Sequence, residues 1–141
     1  MFVHPQCPCT RASIRELEVI MTRCQTSVQA FVLFTQPAGF DRDWVEGGLW
    51  RQADSIPGVS VIADQAGREA RVFDVKTSGQ TLLYDERGVL KFCGGITLSR
   101  GHSGDNIGRS AVVALAKRQP DVRTPSLDCS VFGCPLFNAS E

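Results

Sequence analysis

Residues 4–9, HPQCPC, followed directly by residues 10–24, TRASIRELEVIMTRC, form the stretch that decides the fold. Apolar side chains after the cysteines recur near helical spacing, which predicts a helix over residues 10–24. Phe2 and Val3 are predicted to be the last residues of a strand. The Cys-Pro-Cys motif therefore lies where a strand ends and a helix begins.

This position is expected to make the Cys7 thiol more acidic and more reactive. Unpaired backbone N–H groups and the helix dipole at a helix N-terminus favour negative charge, so they lower a thiol pKa and populate the reactive thiolate. Pro8 suits a first helical position because its missing N–H is not needed there. Cys9 then lies close enough to act as a resolving thiol. A disulfide across a single proline closes a small, stiff ring, so we expect it to be strained and labile.

The bulk composition limits the classes of function. A length of 141 residues indicates one domain, and the net charge of zero shows no basic excess of the kind that nucleic-acid binders carry. The sequence contains no apolar run of ~18 residues, so no membrane-spanning segment is predicted. The N-terminus lacks the pattern of a signal peptide. The cysteine spacings match no zinc pattern, which favours cysteine chemistry at one site; the six cysteines are Cys7, Cys9, Cys24, Cys93, Cys129 and Cys134.

The rest of the chain alternates strands with helices. Strands are predicted at 29–34, 59–63, 81–84 and 89–93, the last two joined by the turn DERG. Helices are predicted from Asp41 or Asp43 to about 53–56, over about 64–75, and from Asp105 or Asn106 to about Lys117. This order indicates an α/β protein with a mixed central sheet flanked by helices. Residues 120–141 read as a tail without a clear element.

Four motifs in order, HPQCPCTRAS, TSGQTLLYDERG, GGITLSRGHSGDN and VFGCPLF, resemble the thioredoxin-like superfamily and, more closely, a bacterial RedB-type thioredoxin-like group. The resemblance runs nearly from end to end. It implies a thioredoxin-like domain over residues 1–119, with residues 120–141 packing on it as a tail. It also implies an N-terminal membrane anchor in relatives and an extracytoplasmic, periplasmic location. Because this chain begins almost at the motif, we expect the first strand to be truncated.

Two features depart from ordinary thioredoxins. One residue, rather than two, separates the cysteines. Residues 77–80, TSGQ, stand where thioredoxins place a cis-proline beside the dithiol, so Ser78 or Gly79 takes that place. We expect this loop to line the substrate groove, with substrate handling that differs from thioredoxin.

The function predicted from these features is thiol–disulfide oxidoreduction without a cofactor. Cys7 is the nucleophile, Cys9 resolves the mixed disulfide, and the partners are protein thiols or disulfides; a monomer is expected. The predicted substrate-binding residues are Thr77, Ser78, Gly79 and Gln80, and the predicted supporting residues are His4, Arg11 and His102.

Two alternatives stay open at the sequence level. Soft thiolates select Cu(I), so Cys7, Cys9 and His102 are a candidate set for binding or delivering copper or another soft metal. An inactive thioredoxin-like interaction module is the second.

Arg11 and Arg100 can steer anions or support a thiolate, although solvated surface positions explain them more simply. Cys134 can be a third redox thiol, a metal ligand, the partner of Cys129 in a clamp, or a residue that only packs in the apolar tail.

Overall fold

A computed structural model describes residues 1–119 and 129–137. The elements in chain order are β1 (Phe2–Val3), α1 (Thr10–Cys24), β2 (Ala30–Gln36), a 3-10 turn (Arg42–Trp44), α2 (Gly48–Asp54), β3 (Val59–Gln65), α3 (Arg68–Val72), β4 (Thr81–Tyr84), β5 (Leu90–Gly94) and α4 (Ile107–Ala116). The molecule is a mixed α/β protein, as the alternating pattern predicts.

Instead of the single mixed central sheet that the sequence predicts, the strands form two small sheets joined at β1. β1, β2 and β3 pair in parallel with β2 in the centre, and β4 pairs antiparallel with β5. Phe2 links the two sheets, because its N–H donates to the Gln80 carbonyl and its carbonyl accepts from Gly79 N–H, at 2.9 and 2.8 Å. The residues just after β1 therefore lie beside the loop that leads into β4.

The predicted elements are present, and the two largest differences concern helices. The second predicted helix is split: Asp41 caps the 3-10 turn, and α2 begins only after Gly47, whose extended backbone interrupts the helix. Glycine lowers helix propensity, which explains the break. α3 covers only Arg68–Val72 of the predicted residues 64–75, because the Asp64 carboxylate accepts hydrogen bonds from Glu69 and Ala70 N–H and starts the helix there.

Burial explains how the helices pack. The inner face of α1 contributes Ile14, Leu17, Ile20 and Met21 to a core that includes Val32 and Phe34 of β2 and Val112 of α4. A second cluster joins Phe2, Ala70, Val75 and Leu136. Leu136 belongs to the C-terminal segment, which we define as residues 129–137. The predicted packing of the tail concerns these residues; 120–128 and 138–141 lie outside the described part.

The C-terminal segment lies across the end of the domain that carries the motif. Its start pairs with the end of β5, where Gly95 N–H donates to the Cys129 carbonyl at 3.0 Å. Its end pairs with the residues before β4, where Leu136 N–H donates to the Lys76 carbonyl at 2.9 Å. Within residues 1–119 and 129–137, no helix is long and apolar enough to cross a membrane.

Candidate redox site

Cys7 and Cys9 lie at the junction between β1 and α1, where the sequence predicts them. Cys9 is the residue that caps α1, and its carbonyl accepts the N–H of Ala12 at 3.1 Å. The Cys7 sulfur accepts backbone hydrogen bonds from Cys9 and Thr10, the first N–H groups of the helix. Both cysteine residues are buried, with Cys7 only 1% exposed.

A third thiol completes the site. The Cys134 sulfur lies 3.0 Å from the Cys7 sulfur, and Cys134 N–H donates to the same Cys7 sulfur at 3.4 Å. These residues are 127 positions apart in sequence. The structure therefore places Cys134 beside Cys7, where a third redox thiol would have to lie.

The environment gives the three thiols different pKa values. Burial raises the pKa of Cys7, but the hydrogen bonds from the Cys134 thiol and backbone and from the N–H groups of Cys9 and Thr10 outweigh it and lower that pKa from 9.0 to about 7. The hydrogen bond to Cys7, followed by burial, raises the pKa of Cys134 to about 11. Burial and the neighbouring Cys7 raise the pKa of Cys9. Cys7 is thus the thiolate of the cluster.

The loop after β5 supports the other two thiols. Gly101 N–H donates to Cys9, and the positive charge of Arg100 favours the ionised forms of Cys9 and Cys134. The Arg100 guanidinium also donates to the Gly133 carbonyl at 3.0 Å. Arg100 is exposed, as expected for a surface arginine, and it is also bound to the C-terminal segment.

Ser78 ties residues 77–80 to the motif through a ring of hydrogen bonds. His4 N–H donates to the Ser78 hydroxyl at 2.9 Å, Ser78 pairs with the Thr10 hydroxyl at 2.9 Å, and Thr10 donates to the His4 carbonyl at 3.0 Å. Gly79 adopts a φ of +91°, and a side chain there would contact Ser13. The sequence predicts that this loop lies near Cys7 but gives no sign of the hydroxyl network.

The outer edge of this loop is occupied by the C-terminal segment. Thr77 bridges to Pro135, and Ser78 N–H donates to the Cys134 carbonyl at 2.8 Å. Gln80, the last predicted substrate residue, instead points its amide towards Cys93, with 3.5 Å between the amide nitrogen and the sulfur. An extended substrate would have to displace residues 134–135 before it could pair with Thr77 and Ser78.

Cys7 also borders a cleft between the motif and α2. The cleft has a volume of about 500 Å³ and is lined by Pro5, Gln6, Cys7, Pro8, Arg11, Gly48, Leu49 and Gln52. Arg11, a predicted supporting residue, is exposed at this cleft. The cleft therefore lies between the motif and α2, and Arg11 supplies a positive charge beside it.

The two histidines are engaged elsewhere. The His4 ring accepts the Gln6 N–H at 3.2 Å and packs edge-on against Trp44, and burial lowers its pKa. The exposed His102 places its Nδ1 2.7 Å from the Arg100 carbonyl. Among the residues that the structure describes, no three His, Cys, Asp or Glu side chains are grouped to hold a metal ion. The copper alternative stays a prediction.

A buried ion pair, which the sequence does not single out, holds the loop after β5 in place. Arg109 of α4 donates to the Glu16 carboxylate of α1 at 2.7 Å, and the two residues are 6% and 2% exposed. Glu16 also accepts from Gly104 N–H at 2.7 Å and from the Asn106 amide at 3.3 Å. This cluster fixes residues 104–106 against the helix that carries Cys9.

The comparisons with known proteins place the fold but not the function. No family model and no curated protein matches the chain. Two solved structures resemble it at a TM-score of 0.71: an uncharacterized conserved protein from Geobacillus kaustophilus, at 18% identity over 100% of this chain and 77% of that one, and a hypothetical protein from Sinorhizobium meliloti, at 17% identity over 98% and 78%. This similarity shows that the chain shares a mixed α/β fold with both structures.

The pKa of Cys7 predicts its reactivity. A thiol with a pKa of about 7 is half ionised near pH 7, so its alkylation by iodoacetamide should rise with a midpoint near pH 7 and weaken below it. Burial raises the pKa of Cys24, which makes Cys24 the internal comparison. Labelling followed by peptide mass mapping measures both. A Cys7 midpoint near 9, equal to that of an ordinary thiol, would contradict the site as described.

Proposed function

We propose that this protein is a thiol–disulfide oxidoreductase of thioredoxin-like fold, with Cys7 as the nucleophilic thiolate. The observation that carries the proposal is the environment of the Cys7 sulfur. It accepts hydrogen bonds from the first N–H groups of α1 and from Cys134, which hold its pKa at about 7, and it borders an open cleft. Thiolates with these properties attack disulfides.

The partners that fit this chemistry are protein thiols or disulfides. Cys7 attacks one sulfur of a substrate disulfide, the first substrate thiol leaves, and a mixed disulfide forms. A second cysteine of this chain then attacks the Cys7 sulfur and releases the second substrate thiol. The sequence predicts Cys9 for that second step. An extracytoplasmic location, taken from the resemblance to RedB-type proteins, is part of the same proposal.

Equilibration with glutathione redox buffers tests the function. The wild-type protein is expected to show a reversible two-electron couple, measured by counting the thiols that stay reduced, and Cys7→Ser is expected to abolish it. Cys24→Ala is the matched control, because Cys24 is a buried cysteine at the far end of α1. A couple that survives in Cys7→Ser would refute the proposal. Tight, stoichiometric Cu(I) binding that is lost in His102→Ala would favour the metal-carrier alternative instead.

A further inference from the structure

Two thiols adjoin Cys7, and the structure distinguishes them. Cys9 lies in the same turn, two residues along the chain, and its thiol also hydrogen-bonds to Cys7. Cys134 arrives from a separate segment with its sulfur 3.0 Å away and its backbone N–H on the Cys7 sulfur. Either can in principle attack a mixed disulfide at Cys7, so the geometry of each decides which one does.

We propose that Cys134, rather than Cys9, is the resolving thiol, so that the disulfide formed in each cycle joins Cys7 to Cys134. This inference rests on the proposed function, and it assigns a catalytic residue in the C-terminal segment. Cys9 then serves as a neighbour of Cys7 whose backbone N–H supports the thiolate.

The reaction balances without any group beyond the substrate. Cys7 thiolate attacks a substrate disulfide and displaces one substrate thiolate. Cys134 loses its proton and attacks the Cys7 sulfur, which breaks the mixed bond and releases the second substrate thiolate. Each thiolate takes up a proton. The net change is reduction of one substrate disulfide to two thiols and oxidation of Cys7 and Cys134 to a disulfide; a second dithiol returns the protein to the reduced form.

Access supports this order of events. The cleft that borders Cys7 is lined by residues of the motif and of α2, whereas Cys134 lies in the C-terminal segment against residues 76–78. A substrate disulfide in the cleft lies beside Cys7, on a side that Cys134 does not line. The resolving thiol therefore stays beside the sulfur that it must attack.

The C-terminal segment holds Cys134 from both sides. The Gly133 carbonyl accepts from Arg100, the Cys134 carbonyl accepts from Ser78 N–H at 2.8 Å, and the side chain of Leu136 is buried in the second core cluster. A disulfide needs its two sulfurs about 2.05 Å apart, so closure from 3.0 Å requires a movement of about 1 Å. A thiol fixed this close reacts with a high effective concentration.

The charge on Cys7 controls when Cys134 can react. In the reduced protein the Cys7 thiolate holds the Cys134 proton through their hydrogen bond, which is the main reason that the pKa of Cys134 stands at about 11. Once Cys7 is part of a mixed disulfide, that negative charge is gone, and the pKa of Cys134 falls. The positive charge of Arg100, bound next to it at Gly133, favours the thiolate. Cys134 is thus kept protonated until its target exists.

Trapping with glutathione disulfide tests the assignment on the full chain. Reduced Cys134→Ser is expected to accumulate a glutathione adduct at Cys7 that persists on the order of 100-fold longer than in the wild type. In Cys9→Ser, the glutathione adduct at Cys7 is expected to be replaced by an intramolecular disulfide. Peptide mass mapping should then show the Cys7 peptide joined to the Cys134 peptide. Thermal unfolding of both variants shows that each is folded.

The outcomes test the role of Cys134 separately from the proposed oxidoreductase function. Closure of Cys134→Ser at the wild-type rate, or an adduct that persists in Cys9→Ser, overturns the role of Cys134 while leaving Cys7 as the nucleophile. No adduct and no disulfide at Cys7 in the wild type or either variant refutes the proposed function itself. Mapping of the wild-type disulfide to Cys7 and Cys9 also overturns the inference.

Discussion

Replacing Glu16 with alanine is expected to destabilise the folded protein by about 3–5 kcal/mol, because it leaves the buried Arg109 guanidinium without its main counter-charge. Glu16 also accepts hydrogen bonds from Gly104 and Asn106, which would lose a buried acceptor. The remaining partner of Arg109 is Asp105, whose side chain is fully exposed. Denaturant unfolding of the reduced protein measures the change in free energy.

A matched surface pair separates burial from charge in that experiment. Arg118 and Glu86 form an ion pair at 3.1 Å with side chains 79% and 74% exposed, so Glu86→Ala is expected to change the unfolding free energy by at most about 1 kcal/mol. The double variant Glu16→Leu with Arg109→Met should lose less than the sum of the two single changes, since neither leaves a lone buried charge. Equal effects at Glu16 and Glu86 would show that the inner pair does not hold α1 to α4.

Gly133→Ala is expected to move Cys134 away from Cys7. A methyl group at position 133 would lie 1.9 Å from the Ser78 carbonyl oxygen, so the C-terminal segment has to shift. Cys7 then loses two of the hydrogen bonds that hold its pKa at about 7, and that pKa rises towards 9.0. A rise of one unit lowers alkylation of Cys7 well below pH 7 by about tenfold. The same displacement should slow closure of the Cys7–Cys134 disulfide.

Gly47→Ala is the control for this change. Gly47 has an ordinary φ of −84°, and an added methyl group there meets no atom within 4 Å. Its alkylation profile and its rate of disulfide closure should match those of the wild type. If Gly133→Ala keeps a Cys7 midpoint near pH 7, the hydrogen bonds from Cys134 are not what lowers the pKa.

Local features of the chain were predictable because their causes are local. The helix after Cys9 follows from the spacing of its apolar side chains. The hairpin between β4 and β5 follows from turn chemistry: the Asp85 carboxylate accepts the N–H groups of Arg87 and Val89, and Gly88 supplies a φ of +77°. The position of Cys7 at a helix N-terminus, where the N–H groups of Cys9 and Thr10 help to lower its pKa, needs only the order of a strand, the motif and a helix.

The sequence by itself thus determined the α/β order, the Cys-Pro-Cys motif before α1 and the loop expected beside it. The tertiary structure decided which thiol faces Cys7 and which charges are buried. Residues 129–137 carry Gly and Pro and no periodicity, so nothing in their own pattern places Cys134 beside a residue 127 positions earlier. Arg109 and Glu16 likewise resemble solvated helix residues until two helices pack. Periodicity encodes neighbours within one element, whereas these contacts exist only when distant elements meet in the folded chain.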